Sequence, residues 1–99
     1  MSFAETLTRS RRVFLLRLLV EIDGNGNESV LRSAARSGGF ASATADDIRA
    51  DLDHLHRLGC VTETWMGQIR VVTLTERGED AAYGRVEIDG VEHSHWRRG

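Results

Sequence analysis

Between Thr44 and Leu74 the hydrophobic period changes once, from that of a helix to that of a strand, and the change falls on a glycine. Ile48, Leu52, Leu55 and Leu58 recur at the steps of one helix face, and Gly59 ends the pattern. Cys60 to Trp65 and Ile69 to Leu74 follow as two runs rich in Val, Thr, Ile and Trp, joined by Met66-Gly67-Gln68, which reads as a hairpin turn. Thr44 precedes the stripe, and Asp47 stands three residues on, the spacing at which a side chain and a backbone N–H cap each other. A helix anchored by that stripe presents its opposite side beside a twisted two-stranded ribbon.

Two more helices are expected upstream. From about Ala4 to Ile22 the apolar positions spread around well over half the helix circumference. The face holding Leu15, Leu18, Leu19 and Ile22 suffices to cover a small domain. Val13, Leu16 and Val20 are therefore expected to meet a second helix, as the interface of a homodimer; the alternative is a central helix wrapped by its own chain. Asp23-Gly24-Asn25-Gly26-Asn27 then reads as a tight loop, with Asn27 capping a second helix from Glu28 to about Ser37. In that helix Val30, Leu31, Ala34 and Ala35 point inward and Arg32 and Arg36 outward, until Gly38 and Gly39 stop it and Phe40 folds back over its last turn.

After the hairpin, Thr75 is placed to cap a short closing helix whose first turn carries Glu76, Glu79 and Asp80, acids that suit the positive helix terminus. It closes near Tyr83 and Gly84. The fold class expected is mainly α with a small β-hairpin, a winged helix-turn-helix: three helices, a two-stranded wing and a closing helix over residues 1–84. Residues 85–99 are a C-terminal extension, a strand or a disordered tail.

Leu74-Thr75-Glu76-Arg77-Gly78-Glu79-Asp80-Ala81 resembles the Leu-Thr-x-x-Gly-x-x-Ala segment that follows the wing in many bacterial winged-helix regulators. Leu55-His56-Arg57-Leu58-Gly59-Cys60-Val61 resembles their helix-to-wing junction. Over about residues 11 to 91 the chain is similar to small winged-helix proteins of Mu-like phages and prophages, placed near the ArsR-type regulators. The resemblance implies a DNA-binding transcriptional regulator of phage type. It departs at the end, where those proteins carry a basic, proline-containing tail and this chain runs from Gly90-Val91 into Glu92-His93-Ser94-His95-Trp96-Arg97-Arg98.

For double-stranded DNA, Thr44 and Arg49 at the start of the third helix are the expected base readers. Gln68 and Arg70 on the wing and Arg32 and Arg36 on the second helix are the expected phosphate contacts. Opposing this, Asp46, Asp47, Asp51 and Asp53 outnumber Arg49 and Arg57 on the third helix. Unpaired aspartates would repel a duplex carrying one charge per roughly 1.7 Å of axis. Asp46 and Asp47 suit a helix start; Asp51 and Asp53 have no such local reason. The alternative function is a protein-interaction adaptor on the same scaffold, its acidic helix and Trp65 meeting a basic partner.

A net charge of -2 gives no global basic field. Arg9, Arg11 and Arg12 form a basic cluster near the start, read either as flanking support for a duplex or as a solvated helix face. Trp65 is expected to pack over the third helix. The lone Cys60 excludes an internal disulfide and fits a reducing cytoplasm. Arg17 interrupts the apolar run from Val13 to Val20, which is too short to span a bilayer. His56 with Cys60, and His93 with His95, are incomplete as metal sets. Gly24-Asn25-Gly26 follows a helix rather than a strand, so it is a loop and not a nucleotide site. No metal, cofactor or enzyme activity is expected.

Overall fold

The computed structural model describes residues 1–96, and the last three residues of the expected 85–99 extension lie outside that range. Its element order is α1 (Phe3–Glu21), β1 (Asn25–Asn27), α2 (Glu28–Ser37), α3 (Ala45–Arg57), β2 (Val61–Met66), β3 (Ile69–Leu74) and α4 (Glu76–Ala82). The strands form one antiparallel sheet in the order β1-β3-β2.

The helix starts follow their caps. Ser2, Asn27, Thr44 and Thr75 each accept from the backbone N–H at or near the third helical position. At α3 the capping is reciprocal, Thr44 N–H donating to Asp47 Oδ2 at 2.9 Å while Asp47 N–H donates to Thr44 Oγ1 at 3.0 Å. That backbone hydrogen bond, more than any other influence, holds the Asp47 carboxyl below the usual carboxylate range. Because the folded value is the lower one, the cap's contribution is complete above the unfolded carboxyl value of about 3.9 and is lost as pH falls through the folded value.

The Leu-Thr-x-x-Gly-x-x-Ala segment has a steric origin in this fold. Thr75 Oγ1 donates to the Gly59 carbonyl at 2.6 Å and accepts from Gly78 N–H at 3.0 Å, pinning the start of α4 to the end of α3. A Cβ on Gly78 would stand 2.1 Å from the Cys60 carbonyl oxygen, so only glycine lets α4 approach the start of β2. Ala81 and Ala82, buried one turn later, allow α4 to lie close along α1.

The sequence expectation for α1 needs correcting. Val13 is 1% exposed and Leu16 is fully buried, so neither offers surface to a second subunit; Val20 is partly buried against the same core. The wide apolar arc is covered by the chain itself, through α2, α3, α4, β3 and the C-terminal segment. In that segment Ile88 and Val91 enter the core, and Ser94 is buried with its Oγ accepting from Arg17 at 2.8 Å. Arg12 Nη1 donates to the Gly90 carbonyl at 3.1 Å, and Glu92 N–H donates to the Arg9 carbonyl at 3.2 Å. Residues 85–96 are thus an ordered strap across α1, neither strand nor free tail, ending where Trp96 stacks on Tyr83 at 5.1 Å.

The expected loop after α1 is also a strand in part. Asp23 and Gly24, at positive φ, reverse the chain so that Asn25, Gly26 and Asn27 pair with Thr73, Val72 and Val71. Asn-Gly-Asn has little strand propensity, and pairing with β3 supplies the structure.

Beneath α3 lies a fully buried Asp51. Arg11 donates to it through both Nε and Nη2, and Arg12 Nε donates to Oδ1 at 3.1 Å. A carboxylate in this position is tolerable only because two guanidinium groups neutralise and hydrogen-bond it. Asp51→Asn is expected to lower unfolding free energy by about 3 kcal/mol or more, because it leaves buried arginine without its anion. Asp46→Asn, on the exposed side of the same helix, should change it by less than about 0.5 kcal/mol. Urea unfolding monitored by circular dichroism compares the two; equal effects would contradict the buried clamp.

Candidate functional site

The outward side of α3 faces the core side of the β2–β3 ribbon across a network of charged side chains. Glu28, the first residue of α2, is shared by two arginines: Arg49 Nε donates to its Oε2 at 3.3 Å, and Arg70 Nε stands 3.4 Å from Oε1 without hydrogen-bond geometry. Arg49 Nη1 also donates to Asp46 at 3.0 Å. Arg70 Nη1 donates to Asp53 Oδ1 at 2.7 Å and to Glu63 Oε2 at 3.5 Å. Glu63 in turn lies 3.9 Å from His56 Nδ1. Four carboxylates therefore surround two guanidinium groups, a surplus of two negative charges within this network.

The DNA-contact residues expected from sequence are spread across this geometry. Arg49 is half-exposed and held between Glu28 and Asp46. Arg70 is buried and committed to three carboxylates, with its guanidinium 5.3 Å from the Trp65 ring centre, so it is not poised to reach a phosphate. Its role is to tie the ribbon to α2 and α3. Thr44 is exposed, but its hydroxyl is engaged in the cap. Gln68 sits in the two-residue turn with Gly67, at the far end of the ribbon. Arg32 and Arg36 lie on α2 with no salt bridge among the described residues, near Ser33 and Ser37.

Several features escaped the sequence reading. Asp51 and Asp53, which lacked a local reason, find one in space: Asp51 pairs with Arg11 and Arg12, and Asp53 with Arg70. The basic cluster near the start of α1 is accordingly divided, with Arg11 buried and Arg12 mostly so. Trp65, expected to pack over α3, is 53% exposed, with one face toward Arg70. Met66 and Ile69, paired directly across the ribbon, are 66% and 57% exposed. A signal for this was present, since Trp65 and Met66 are consecutive in a strand and must point to opposite faces. The exposed large apolar residues of α1 are Phe3 and Leu7, in its first turns, and on α2 Val30, expected to point inward, is half-exposed.

The buried Cys60 has its thiol pushed up by desolvation, which keeps it protonated and unreactive near neutrality. Among the described residues no three His, Cys, Asp or Glu side chains are grouped to hold a metal ion, and no helix is long and apolar enough to cross a membrane.

The chain is 35% identical over 88 residues to a protein of Escherichia phage Mu called "Uncharacterized protein gp26", a match spanning 89% of this chain and 91% of that protein. No family model matches the sequence, and no solved structure matches it.

The two arginines of the network should differ in what they do for the fold. Arg70→Ala is expected to cost about 2 kcal/mol, the scale of lost hydrogen bonds to charged groups in a buried setting. Arg49→Ala, at the surface, should stay within about 0.5 kcal/mol. Denaturant midpoints measured side by side check the contrast, and an Arg70→Ala protein as stable as the parent would show that the ribbon is not held by this residue.

Proposed function

The chain belongs to the family of the Mu phage protein gp26, and from that membership and the charged face of α3 we propose that it is a phage winged-helix adaptor that meets a protein partner. The winged-helix reading is supported by the order of elements. Two consecutive helices, α2 and α3, are followed by an antiparallel ribbon packed beside α3, with a short β1 closing the sheet. Kinship in build to the ArsR-type regulators rests on the Leu74-to-Ala81 segment and its packing role.

One observation carries the functional choice. The surface that a DNA-reading winged helix lays against the duplex here holds Glu28, Asp46, Asp53 and Glu63 around Arg49 and Arg70, so both cations are already neutralised. Phosphate neutralisation supplies nearly all nonspecific affinity for DNA, and a face with surplus carboxylates opposes it. A protein partner carrying cations gains from the same field.

The second reading, a DNA-binding regulator, is favoured by Arg32 and Arg36, which stand on α2 outside the network. In that reading these two supply phosphate contacts, and Arg49 reads a base after exchanging Glu28 and Asp46 for it.

Fluorescence anisotropy of a labelled generic duplex, titrated with the protein while salt is lowered, separates the two readings. The adaptor reading expects no binding even at about 20 mM salt, where phosphate contacts are strongest. Binding that tightens steeply as salt falls, and that Arg32→Ala with Arg36→Ala weakens, would establish the DNA reading instead.

A further inference from the structure

We infer, independently of the adaptor reading, that the free edge of β2 pairs antiparallel with the same edge of a second copy, centred on Thr64, and joins the two sheets into one. In the order β1-β3-β2 the strand β2 lies at the sheet margin, and Thr62, Thr64, Trp65 and Met66 along it are exposed. Thr75 N–H donates to the Cys60 carbonyl at 3.0 Å, which extends the β2–β3 register by one pair and sets its parity: Thr62, Thr64 and Met66 turn their backbone groups to β3. The N–H and C=O groups of Val61, Glu63 and Trp65 therefore point away from the sheet, and no hydrogen bond reaches them among the described residues. Nothing blunts this edge. The chain has no proline and no lysine, no bulge interrupts the register, and the strand's one charge, Glu63, is turned to the core side and held by Arg70 at 3.5 Å.

The residues along the edge select both the occupant and the register. Only odd-numbered positions offer outward backbone groups, so two copies pair with odd against odd. A pairing centred on Glu63 would oppose two like charges. Centred on Thr64, it avoids this: Glu63 and Trp65 exchange backbone hydrogen bonds with Trp65 and Glu63 of the second copy. Each Glu63 carboxylate then meets an indole whose ring centre lies 5.3 Å from the Arg70 guanidinium, a contact of opposite charges made twice by the two-fold axis. On the other face Thr64 stands opposite its own copy and Met66 opposite Thr62. That face of the ribbon, Thr62, Thr64, Met66, Ile69, Val71 and Thr73, carries no charge to oppose a neighbour. A strand laid along an edge covers side chains on both faces at once, which accounts for an exposed Trp65 and an exposed Met66 side by side. The paired stretch is about 17 Å long and one strand deep. It buries less than the roughly 800 Å² per partner of a stable complex, so the dimer forms and dissociates with concentration.

Thr64→Cys tests the pairing on the full chain. In a non-hydrogen-bonded antiparallel pair the Cα atoms stand about 4.5 Å apart, within disulfide reach. This variant is expected to link to a second copy under mild oxidation, read as a doubled mass on a non-reducing gel; Cys60 is buried and does not compete. Thr62→Cys is the control. Position 62 is exposed on the same face, but in this register it faces Met66 and lies roughly 14 Å from its own copy, so it should link at least about tenfold more slowly. Sedimentation equilibrium of the parent chain from about 10 μM to about 1 mM is expected to show the mass rising from that of the monomer toward twice that value. Circular dichroism confirms that each variant is folded. No link in Thr64→Cys, equal linking of the two variants, or a parent that stays monomeric throughout overturns the pairing, the last outcome leaving the edge to an extended segment of a different protein.

Discussion

The position of α3 depends on an ion cluster that it does not display. Asp51 points from the underside of the helix into the domain and is grasped there by Arg11 and Arg12 of α1. Charges this deep are costly alone and directional when paired, because guanidinium and carboxylate groups must meet in plane to satisfy each other. The apolar stripe of Ile48, Leu52 and Leu55 brings α3 to the core, but greasy contacts tolerate sliding. The Arg11–Asp51–Arg12 cluster fixes register and rotation. Arg12 extends the tie to the Gly90 carbonyl, so the same residue that anchors α3 also anchors the C-terminal strap.

That arrangement accounts for what was legible in the sequence. Features set by neighbours in the chain could be read directly: the α3 cap from Thr44 and Asp47, the helix stop at Gly59, and the hairpin from two β-rich runs about a glycine. Features set by distant partners could not. Asp51 meets arginines about 40 residues away, Arg17 meets Ser94 at a separation of 77, and Asn25 to Asn27 become a strand only because β3 arrives beside them. The broad apolar arc of α1 was visible, but its two explanations, a partner helix or the chain's own wrapping, have the same periodicity. Residues 85–96 decide for wrapping, and their buried Ile88, Val91 and Ser94 lie in irregular chain with neither helix nor strand to announce them.

The same distinction redistributes the acids of α3. Asp47 serves its cap and Asp51 the interior, leaving Asp46 and Asp53 on the presented side. Glu28 and Glu63 join them from α2 and β2, with Arg70 as the common counter-ion of three carboxylates. An arginine that sequence alone would offer to a phosphate is thereby a structural tie. The carboxylate network beside α3 arises from this reassignment.

The central claim is that the α1–α3 interface is locked by buried guanidinium groups, and arginine Nε–H exchange followed by nitrogen-resolved NMR tests it most directly. Of the 13 arginines, Arg11 and Arg12 are predicted to show slowly exchanging Nε–H signals, protected by Asp51, while Arg36 exchanges at the rate of free solvent-exposed arginine. Arg11 and Arg12 signals that exchange as fast as that of Arg36 would contradict the account.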